Sequence, residues 1–462
     1  MELQFHGAAQ TVTGSMHIMH LPTGPVSLDC GLFQGRRAWS REMNKVWPLD
    51  PAELRGVVLT HAHIDHCGKI PQLCGNGYAS PVYATSATCD LCEIMLADSA
   101  HIQEEDADYW NRKRATSAAD RIEPLYTVAD AQKAARFFKA VPRNRPVKVA
   151  DGCTATFLEA GHILGSTCVL IEIRGRQSVR LLYTGDLGRF GMPILRDPIC
   201  PLPQADYLIT ESTYANKLHD EPAAMTETLA RIVTETRQAG GKVIIPAFSL
   251  GRTQHIVYSL GQAISSGLLE PLPIYVDSPL SVKVTRVFRK HPECYDKRAS
   301  DFWRERGDVF GNAVTYITDV EQSKALHARS EPCVIISASG MCETGRILHH
   351  LKNNVENPRS TVVVTGYMAR NTLGRRIFKR EKKIRIFGME YNLLARVEVL
   401  NGFSAHADMN DFTRLLSPMA KGLKAAFVVH GEDEQLDAMK DFLTRAGCRE
   451  VHAPAPGERF DL

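Results

Sequence analysis

Residues 56–68 read GVVLTHAHIDHCG, and this stretch decides how the chain folds and what it binds. A run of apolar and β-branched residues, typical of a buried strand, leads directly into four side chains of metal-binding type. They are His61, His63, Asp65 and His66. Alternate side chains of an extended segment point to one side, so His61 and His63 are expected to face one ion. The chain then turns, which directs Asp65 and His66 toward a second position.

The types of these ligands indicate the metal. Imidazole and carboxylate suit borderline divalent ions such as zinc, whereas structural zinc sites are normally rich in cysteine. Four ligands crowded into six residues suggest more than one ion. We therefore predict two Zn²⁺ per chain.

The chain repeats one arrangement, in which an apolar strand leads into a polar loop and then a helix. The clearest further examples are 180–188 (RLLYTGDLG), 242–251 (KVIIPAFSLG), 333–340 (CVIISASG), 361–367 (TVVVTGY) and 425–432 (AAFVVHGE). Continuous apolar strands with polar loops at their carboxyl ends are typical of a layered α/β protein with buried sheets. The first thirty residues alternate instead and predict antiparallel strands.

Three more candidate ligands lie in such loops, namely His162, Asp186 and His430. Each alone would more often be structural, but together with the first four they complete the coordination that two ions need. Two metals roughly 3.5 to 4 Å apart can supply a hydroxide nucleophile at neutral pH, which predicts hydrolysis by metal-bound hydroxide. The leaving group then needs a proton, for which Glu211 and His406 are the candidates.

Composition limits the other possibilities. The net charge of the 462 residues is +3, so no strong overall field draws the chain to nucleic acid or membrane. The start, MELQFHGAAQTVTGS, is not typical of a signal peptide, and no segment approaches the ~18 apolar residues of a membrane helix. The twelve cysteines are nearly all scattered singly, which favours a reducing cytoplasm. We expect a cytoplasmic protein without a membrane partner.

Taken together, these motifs resemble those of the metallo-β-lactamase superfamily and, within it, the β-CASP nucleases. HAHIDHCG, Gly161-His162, Gly185-Asp186 and LDCG from Leu28 look like its metal-core motifs, and Glu211, His406 and His430 fall in the order of its three additional motifs. The chain is similar, over essentially its whole length, to bacterial relatives of the cleavage-and-polyadenylation specificity factor endonuclease subunit.

The resemblance implies a fold, a site and its ligands. The fold would be an αββα sandwich formed by residues 1–214 and 396–462, interrupted by an α/β β-CASP insert at residues 215–395, with the active site in the cleft between them. By resemblance, His61, His63 and His162 would hold one zinc, Asp65, His66 and His430 the other, and Asp186 would bridge. Asp65, Glu211 and His406 would be the catalytic residues, and Asp29 would hydrogen-bond a ligand histidine.

The resemblance also favours RNA as the substrate. RNA-acting members have histidine at the last motif, as His430 is here, whereas DNA-repair members usually have valine. The first strand begins near Met1, so we do not expect the N-terminal RNA-binding domains of archaeal relatives. Ser337, Ser339 and Gly340 lie between a predicted strand and helix, where they could bind RNA phosphates, and Arg252 occupies a similar position. Capping of the following helix explains these loops equally well.

Other interpretations stay open at this point. Arg370, Arg375 and Arg376 could extend a basic track, although a solvated surface explains each of them as well. The same metal core could hydrolyse a small lactam, thioester or lactone, and a non-catalytic protein could keep zinc for its structure. Endonuclease and 5′ exonuclease activity are not separated by the sequence. The sequence does not determine the oligomeric state, for which a homodimer is the candidate.

Overall fold

The computed structural model describes residues 1–114, 121–175, 178–308, 310–311, 314–366, 368–369 and 371–462. They form two compact units. Unit 1 comprises Met1–Phe190, Asp197–Leu218 and His406–Leu462, and unit 2 comprises Gly191–Arg196 and His219–Ala405. The predicted boundary after residue 214 lies four residues before Leu218, and the one after residue 395 lies ten residues before Ala405. The segment Gly191–Arg196 was not expected in unit 2.

The first part of unit 1 is mostly strands. The strands are β1 (Glu2–Gly7), β2 (Met16–Leu21), β3 (Gly24–Leu28), β4 (Gly56–Val58), β5 (Val82–Thr85), β6 (Phe138–Val141), β7 (Pro146–Ala150), β8 (Cys153–Glu159), β9 (Thr167–Ile173), β10 (Val179–Tyr183) and β11 (Tyr207–Thr210). The helices are α1 (Arg37–Lys45), α2 (Ile64–Cys67), α3 (Ile70–Gly75), α4 (Ser86–Arg114) and α5 (Val128–Ala134).

Unit 2 alternates strands with helices. Its helices are α6 (Pro222–Gln238), α7 (Arg252–Ser265), α8 (Pro279–Lys290), α9 (Lys297–Arg306), α10 (Val320–Ala328), α11 (Ile347–Asn354) and α12 (Leu373–Phe378). Its strands are β12 (Val243–Pro246), β13 (Ile274–Asp277), β14 (Val314–Ile317), β15 (Val334–Ser337), β16 (Thr361–Val364), β17 (Lys383–Ile386), β18 (Met389–Asn392) and β19 (Arg396–Val399). The chain then returns to unit 1 with α13 (Met409–Ala420), β20 (Ala425–Val428), α14 (Asp433–Arg445), β21 (Val451–His452) and β22 (Arg459–Asp461).

Unit 1 is a sandwich of two seven-stranded sheets. Their orders are β22-β1-β2-β3-β4-β5-β6 and β21-β20-β11-β10-β9-β8-β7. The two sheets share one core, in which Phe5 and Val58 of the first sheet pack with Phe157, Tyr183 and Phe427 of the second. Helices α13 and α14 cover the other face of the second sheet, and α4 contacts β5 and β6 of the first. The predicted αββα layering is thereby confirmed.

Strand direction explains why distant residues meet. β3 and β4 are parallel neighbours, and so are β10, β11 and β20. The carboxyl ends of parallel strands meet at one edge of a sheet, where α/β proteins bind their ligands. Asp29 and His61 therefore follow neighbouring strands of the first sheet, and Asp186, Glu211 and His430 follow neighbouring strands of the second.

Unit 2 is built on a six-stranded parallel sheet of order β14-β13-β15-β12-β16-β19, with β17 and β18 as a separate antiparallel hairpin. The central strands are buried along their length, as the apolar sequences predict. This is the α/β insert that was expected. None of the helices in the described part of the chain is long and apolar enough to cross a membrane.

Candidate metal centre

The HAHIDH stretch folds as its spacing predicts. His63 is extended, with φ −67° and ψ 145°, and α2 begins at the next residue. The backbone oxygens of Asp65 and His66 accept hydrogen bonds from Ser15 and Cys30, each at 2.8 Å. A Cβ at Gly31 would lie 1.6 Å from the Asp65 oxygen, so only glycine allows this approach.

The loops that carry His162 and Asp186 are packed equally closely. A Cβ at Gly188 would lie 2.0 Å from the backbone oxygen of Gly161, and the Gly188 N–H donates to Ala160 at 2.8 Å. The glycines beside the two candidate ligands thus let their loops touch backbone to backbone. This contact fixes His162 next to Asp186.

The seven predicted ligands form two groups. The ligand atoms of His61, His63, His162 and Asp186 lie within 4.8 Å of one another, and those of Asp65, His66 and His430 do the same. All seven side chains except those of His63 and Asp65 are buried. The structure therefore brings together every residue that the sequence assigned to metal, in the predicted partition.

Asp186 faces both groups with different oxygens. Its Oδ2 lies 3.3 Å from Nε2 of His61 and 3.4 Å from Nε2 of His162. Its Oδ1 lies 3.2 Å from Nε2 of His66. One carboxylate thus contacts both ligand groups.

The separations within the first group match a zinc coordination sphere. Nδ1 of His63 lies 3.1 Å from Nε2 of His61 and 3.2 Å from Nε2 of His162. Ligands at about 2.0 to 2.1 Å in tetrahedral directions stand about 3.3 Å apart. Buried His66 Nε2, His430 Nε2 and Asp186 Oδ1 make no hydrogen bond of good geometry with any described residue, a costly arrangement that a cation would relieve. The residues present therefore fit the metal.

Three further contacts orient the ligand imidazoles. Asp29 is fully buried, and its Oδ2 accepts hydrogen bonds from His66 Nδ1 and Tyr183 Oη, both at 2.7 Å. Nδ1 of His61 lies 3.0 Å from the Thr60 hydroxyl. A proton held on Nδ1 of His66 leaves its Nε2 lone pair for a metal.

Thr213 plays the corresponding part for His430. Its hydroxyl lies 3.0 Å from His430 Nδ1, and its backbone N–H donates to Glu211 at 3.2 Å. Sequence reasoning did not identify Thr213 or Tyr183. The only signal was their position next to Glu211 and Asp186, which does not distinguish a supporting hydroxyl from any other.

Burial sets the charge state of the first group. It lowers the pKa of His61 and His162 and lowers that of His63 to about 3, with the neighbouring histidines acting in the same direction. These imidazoles are therefore neutral at pH 7. The neutral ring is the form that binds metal.

The second group differs. Burial would lower the pKa of His66, but the carboxylates of Asp186 and Asp29 outweigh it and raise that pKa well above its usual value. Burial would raise the pKa of Asp186, but the surrounding imidazoles hold it well below its usual range. A metal that binds at His66 must therefore displace a proton, which makes metal affinity pH-dependent.

Glu211 and His406 form a pair beside this cluster. His406 Nδ1 lies 3.2 Å and 3.3 Å from the two carboxylate oxygens of Glu211, and its ring centroid lies 4.4 Å from that of His162. Oε1 of buried Glu211 also accepts from the Leu187 N–H at 2.7 Å. Burial would lower the pKa of His406, but the charge and hydrogen bond of Glu211 raise it to about 9.

The exposure of His406 separates it from the ligands. Its side chain is 21% exposed, whereas those of His162 and Asp186 are 0% and 2% exposed. A carboxylate oxygen of Glu211 lies within 4.8 Å of ligand atoms of Asp186 and His430. Both carboxylate oxygens of Glu211, however, already accept hydrogen bonds from backbone N–H groups. These contacts favour Glu211 as a partner of His406 over a metal ligand.

The predicted RNA contacts all lie in unit 2. Arg252 and Gly340 line a small pocket together with Phe248, whose ring would lie 2.9 Å from a Cβ at Gly340. Ser337 is buried, and its hydroxyl donates to the backbone oxygen of Asp277 at 2.8 Å. The residues that line this pocket are Phe248, Arg252, Gly340, Thr365, Gly366 and Met368, which do not include Ser337 or Ser339.

The predicted basic track lies only partly within the described residues. Arg375 and Arg376 are in the last turn of α12. Arg370 lies outside the part of the chain that the structure describes.

Comparison with known proteins identifies the domains of the chain. Residues 28–239 match the metallo-β-lactamase superfamily, and residues 253–377 match the β-CASP domain. Residues 390–454 match a domain described as a Zn-dependent metallo-hydrolase RNA specificity domain. The chain is 34% identical over 453 residues to a ribonuclease of Thermus thermophilus, with 98% of each protein covered.

The chain belongs to the β-CASP branch of the metallo-β-lactamase superfamily. The β-CASP protein is also 31% identical to an RNase J-like protein of Methanocaldococcus jannaschii, covering 94% of this chain and 93% of that one. It is 27% identical to transcription termination factor FttA of the same organism, covering 98% of this chain and 70% of that one.

The fold recurs at low sequence identity. A protein of unknown function from Enterococcus faecalis has the same fold, with a TM-score of 0.59 and 14% identity, covering 100% of this chain and 99% of that one. The predicted membership of the β-CASP family is confirmed by the domain matches.

Proposed function

We propose that this β-CASP protein is a zinc-dependent ribonuclease that hydrolyses RNA phosphodiester bonds. The observation that carries the proposal is the pair of buried ligand groups joined by Asp186, with His406 and Glu211 directly beside them. RNA is favoured because residues 390–454 match an RNA specificity domain and the relatives include a ribonuclease and an RNase J-like protein.

Two zinc ions per chain are part of this proposal. His61, His63 and His162 would hold one, Asp65, His66 and His430 the other, and Asp186 would contribute an oxygen to each. When bound, the ions supply positive charge for the phosphate and lower the pKa of water toward roughly 7.

The protein's own residues then prepare the site for phosphodiester cleavage. Asp29 holds the proton of His66 on Nδ1 at 2.7 Å, which keeps Nε2 directed at Asp186 and the metal position. Thr213 orients His430 in the same way. Asp65, at 3.5 Å from His430 Nε2, keeps a negative charge because burial is outweighed by that imidazole, which lowers the pKa of Asp65.

His406 is the proposed proton donor to the leaving oxygen. Glu211 binds its Nδ1, so the other ring nitrogen of a protonated imidazole is left to donate. The partial exposure of this side chain suits a group that meets substrate, because the ligands beside it are closed off from solvent. We propose that Glu211 orients the ring and stabilises its charge.

Contacts to the RNA backbone are proposed for unit 2. Arg252 offers a planar cation for phosphate, and Phe248, which is 45% exposed beside Gly340, offers a face for a base. Ser339 stays a candidate in the same loop. Ser337 is the weakest of the predicted contacts, since the fold already uses its hydroxyl.

The alternative of a small-molecule hydrolase is not favoured. It explains neither the β-CASP unit nor the match to an RNA specificity domain. We further propose a cytoplasmic location, because all twelve cysteines are free thiols. The homodimer stays a prediction, as does the choice between endonuclease and 5′ exonuclease.

The deciding experiment compares the parent chain and His63→Ala on single-stranded RNA labelled at either end, with and without chelator. Lactam, thioester and single-stranded DNA substrates serve as the comparison panel. We expect RNA cleavage that is lost with chelator and in the variant. Undiminished RNA cleavage by His63→Ala would overturn the metal assignment, and cleavage of the small substrates alone would overturn the choice of RNA.

A further inference from the structure

Unit 2 carries a strongly charged surface that the proposed chemistry does not use. Residues 375–385, which we name the basic segment, contain seven arginines and lysines and one acidic residue, Glu381, for a net charge of +6. The whole chain carries only +3, so all other residues together carry −3. Solubility alone does not require such a concentration of one sign, which instead indicates a polyanionic partner.

The basic segment is anchored to the core of unit 2. Its apolar residues Ile377 and Ile384 are fully buried, as is Ile386 directly after it. Alternate residues of a strand point to opposite faces, so Lys383 and Arg385 share the outer face of β17, about 6.6 Å apart. The backbone that carries these charges is therefore already ordered before a ligand binds.

Several of these cations form no ion pair within the part of the chain that the structure describes. Lys383 is paired with Glu390 across the hairpin at 2.7 Å. Arg376, Lys379 and Lys382 are exposed, and none of them forms an ion pair with any of the described acidic residues. Three neighbouring charges are thus available to phosphate groups.

The tip of the hairpin adds an exposed aromatic ring. Phe387, at the turn between β17 and β18, is 53% exposed, and its ring centroid lies 4.7 Å from that of His349. Surfaces that bind single strands combine cations along the phosphate backbone with aromatic rings that stack on bases. The basic segment and Phe387 have this composition.

We infer that the basic segment and Phe387 form a surface of unit 2 that binds single-stranded RNA, an inference that rests on the proposed ribonuclease function. An anionic membrane is the less favoured partner. Membrane binding needs a broad apolar face, whereas Ile384 and Ile386 point into the core and leave only Phe387 and Met389 exposed at the tip.

The test measures the salt dependence of RNA binding by the zinc-loaded chain. The probe is a fluorescent oligouridine with phosphorothioate linkages, and the readout is anisotropy. Each phosphate contact on a single strand contributes about 0.7 to the slope of log K against log salt. The triple variant Arg376→Gln, Lys379→Gln, Lys382→Gln should lose about 2 from that slope and bind roughly 100-fold more weakly at 0.1 M salt.

A matched control removes three charges from elsewhere in unit 2. Lys283 and Arg286 lie on α8, which packs on β13 and β14, whereas α12 packs on β17 and β19 near the opposite edge of the sheet. Lys283→Gln, Arg286→Gln, Arg298→Gln changes the net charge equally and should keep the parent slope. The charge-conserving variant Arg376→Lys, Lys379→Arg, Lys382→Arg should also keep the parent salt slope.

Phe387→Ala gives an independent readout, because stacking carries no charge. It should weaken binding by about tenfold without changing the salt slope, and Phe387→Tyr should restore the affinity. Circular dichroism and zinc content of each variant report that it is folded.

The outcomes separate this inference from the proposed function. If the triple variant has the same salt slope as the parent chain, the inference is overturned. If the parent chain still cleaves RNA in that case, the proposed ribonuclease function is unaffected. A parent chain that neither binds nor cleaves RNA overturns both. Loss of binding to phosphatidylserine vesicles with unchanged RNA binding would assign the surface to a membrane and overturn the inference.

Discussion

The hydrogen bond between Asp29 and His66 gives a quantitative prediction about zinc affinity. Oδ2 of Asp29 accepts from His66 Nδ1 and from Tyr183 Oη, while Oδ1 accepts from the Thr60 N–H at 2.7 Å. In Asp29→Asn the amide oxygen can keep the bond to Thr60, which places the NH₂ group opposite His66. Two donors then face each other.

His66 can escape this clash only by moving its proton to Nε2, the atom that faces Asp186 at 3.2 Å. That tautomer cannot bind metal. The charge-assisted bond that is lost contributes about 1.5 to 3 kcal/mol, which corresponds to roughly 10- to 100-fold in zinc affinity. The magnitude refers to the second ligand group, because the first group does not contact Asp29.

The assay is a competitive zinc titration against a chromophoric chelator, with both binding events resolved. Tyr183→Phe is the matched control, since it removes a bond to Asp29 but keeps the one between Asp29 and His66. Thr213→Val removes a neutral partner of His430 and should cost about 1 kcal/mol, or roughly fivefold. Parent zinc affinity in Asp29→Asn would show that the bond between Asp29 and His66 does not control metal binding.

Three other predictions follow from the described geometry. His406→Ala and Glu211→Gln should lower kcat for RNA by about 10²- to 10⁴-fold while zinc content stays at the parent value, measured by turnover and metal analysis of the same samples. Burial lowers the pKa of His255 in unit 2 to about 3, so this ring stays neutral when the fold is intact. The histidine of the unfolded chain takes up a proton below about pH 6.5, so the free energy of unfolding decreases as the pH is lowered, by about 2 kcal/mol at pH 5. His255→Leu should remove that part of the loss. Gly31→Ala, which would place a methyl group 1.6 Å from a backbone oxygen, should abolish zinc binding, whereas Gly75→Ala, with nothing within 4 Å, should fold normally.

Each of these has a clear contrary result. A loss of zinc content in His406→Ala would show that His406 binds the metal. The stability of the parent and His255→Leu would be measured against pH by urea unfolding, together with hydrogen exchange of residues 252–265. If the variant loses as much stability in acid as the parent, the buried ring is not the cause of that loss. Normal zinc content in Gly31→Ala would contradict the close packing of the ligand loop.

The metal ligands could be predicted because chemistry and strand ends coincide in the sequence. His61 and His63 lie directly after β4, and the extended conformation of His63 followed by α2 is what the spacing indicates. Asp186 and His430 are far apart along the chain, but each follows an apolar strand, and the parallel pairing of β10, β11 and β20 brings them together.

The supporting residues could not be predicted, since their roles depend on the packing of distant strands. Tyr183 reaches Asp29 across the shared core of the two sheets, and Thr213 reaches His430 through the pairing of β11 with β20. The loop at Ser337 shows the converse. Its position after a strand suggested phosphate, but the hydroxyl is buried and already bound.

The basic segment illustrates the limits of composition. The net charge of +3 argues against a polyanionic partner, but it is the sum of a +6 segment and a −3 remainder. The anchoring isoleucines turn that segment from an ordinary solvated helix end into an ordered surface. Only the structure distinguishes these two cases.

A zinc titration of the metal-free protein tests the proposed two-zinc ribonuclease site bridged by Asp186. Cleavage of end-labelled single-stranded RNA would be followed as zinc is added, with bound metal counted by native mass spectrometry. We predict that cleavage is absent without metal and reaches its maximum at two zinc ions per chain. Full cleavage by the metal-free protein, or a maximum at one bound ion, would rule out a two-zinc site.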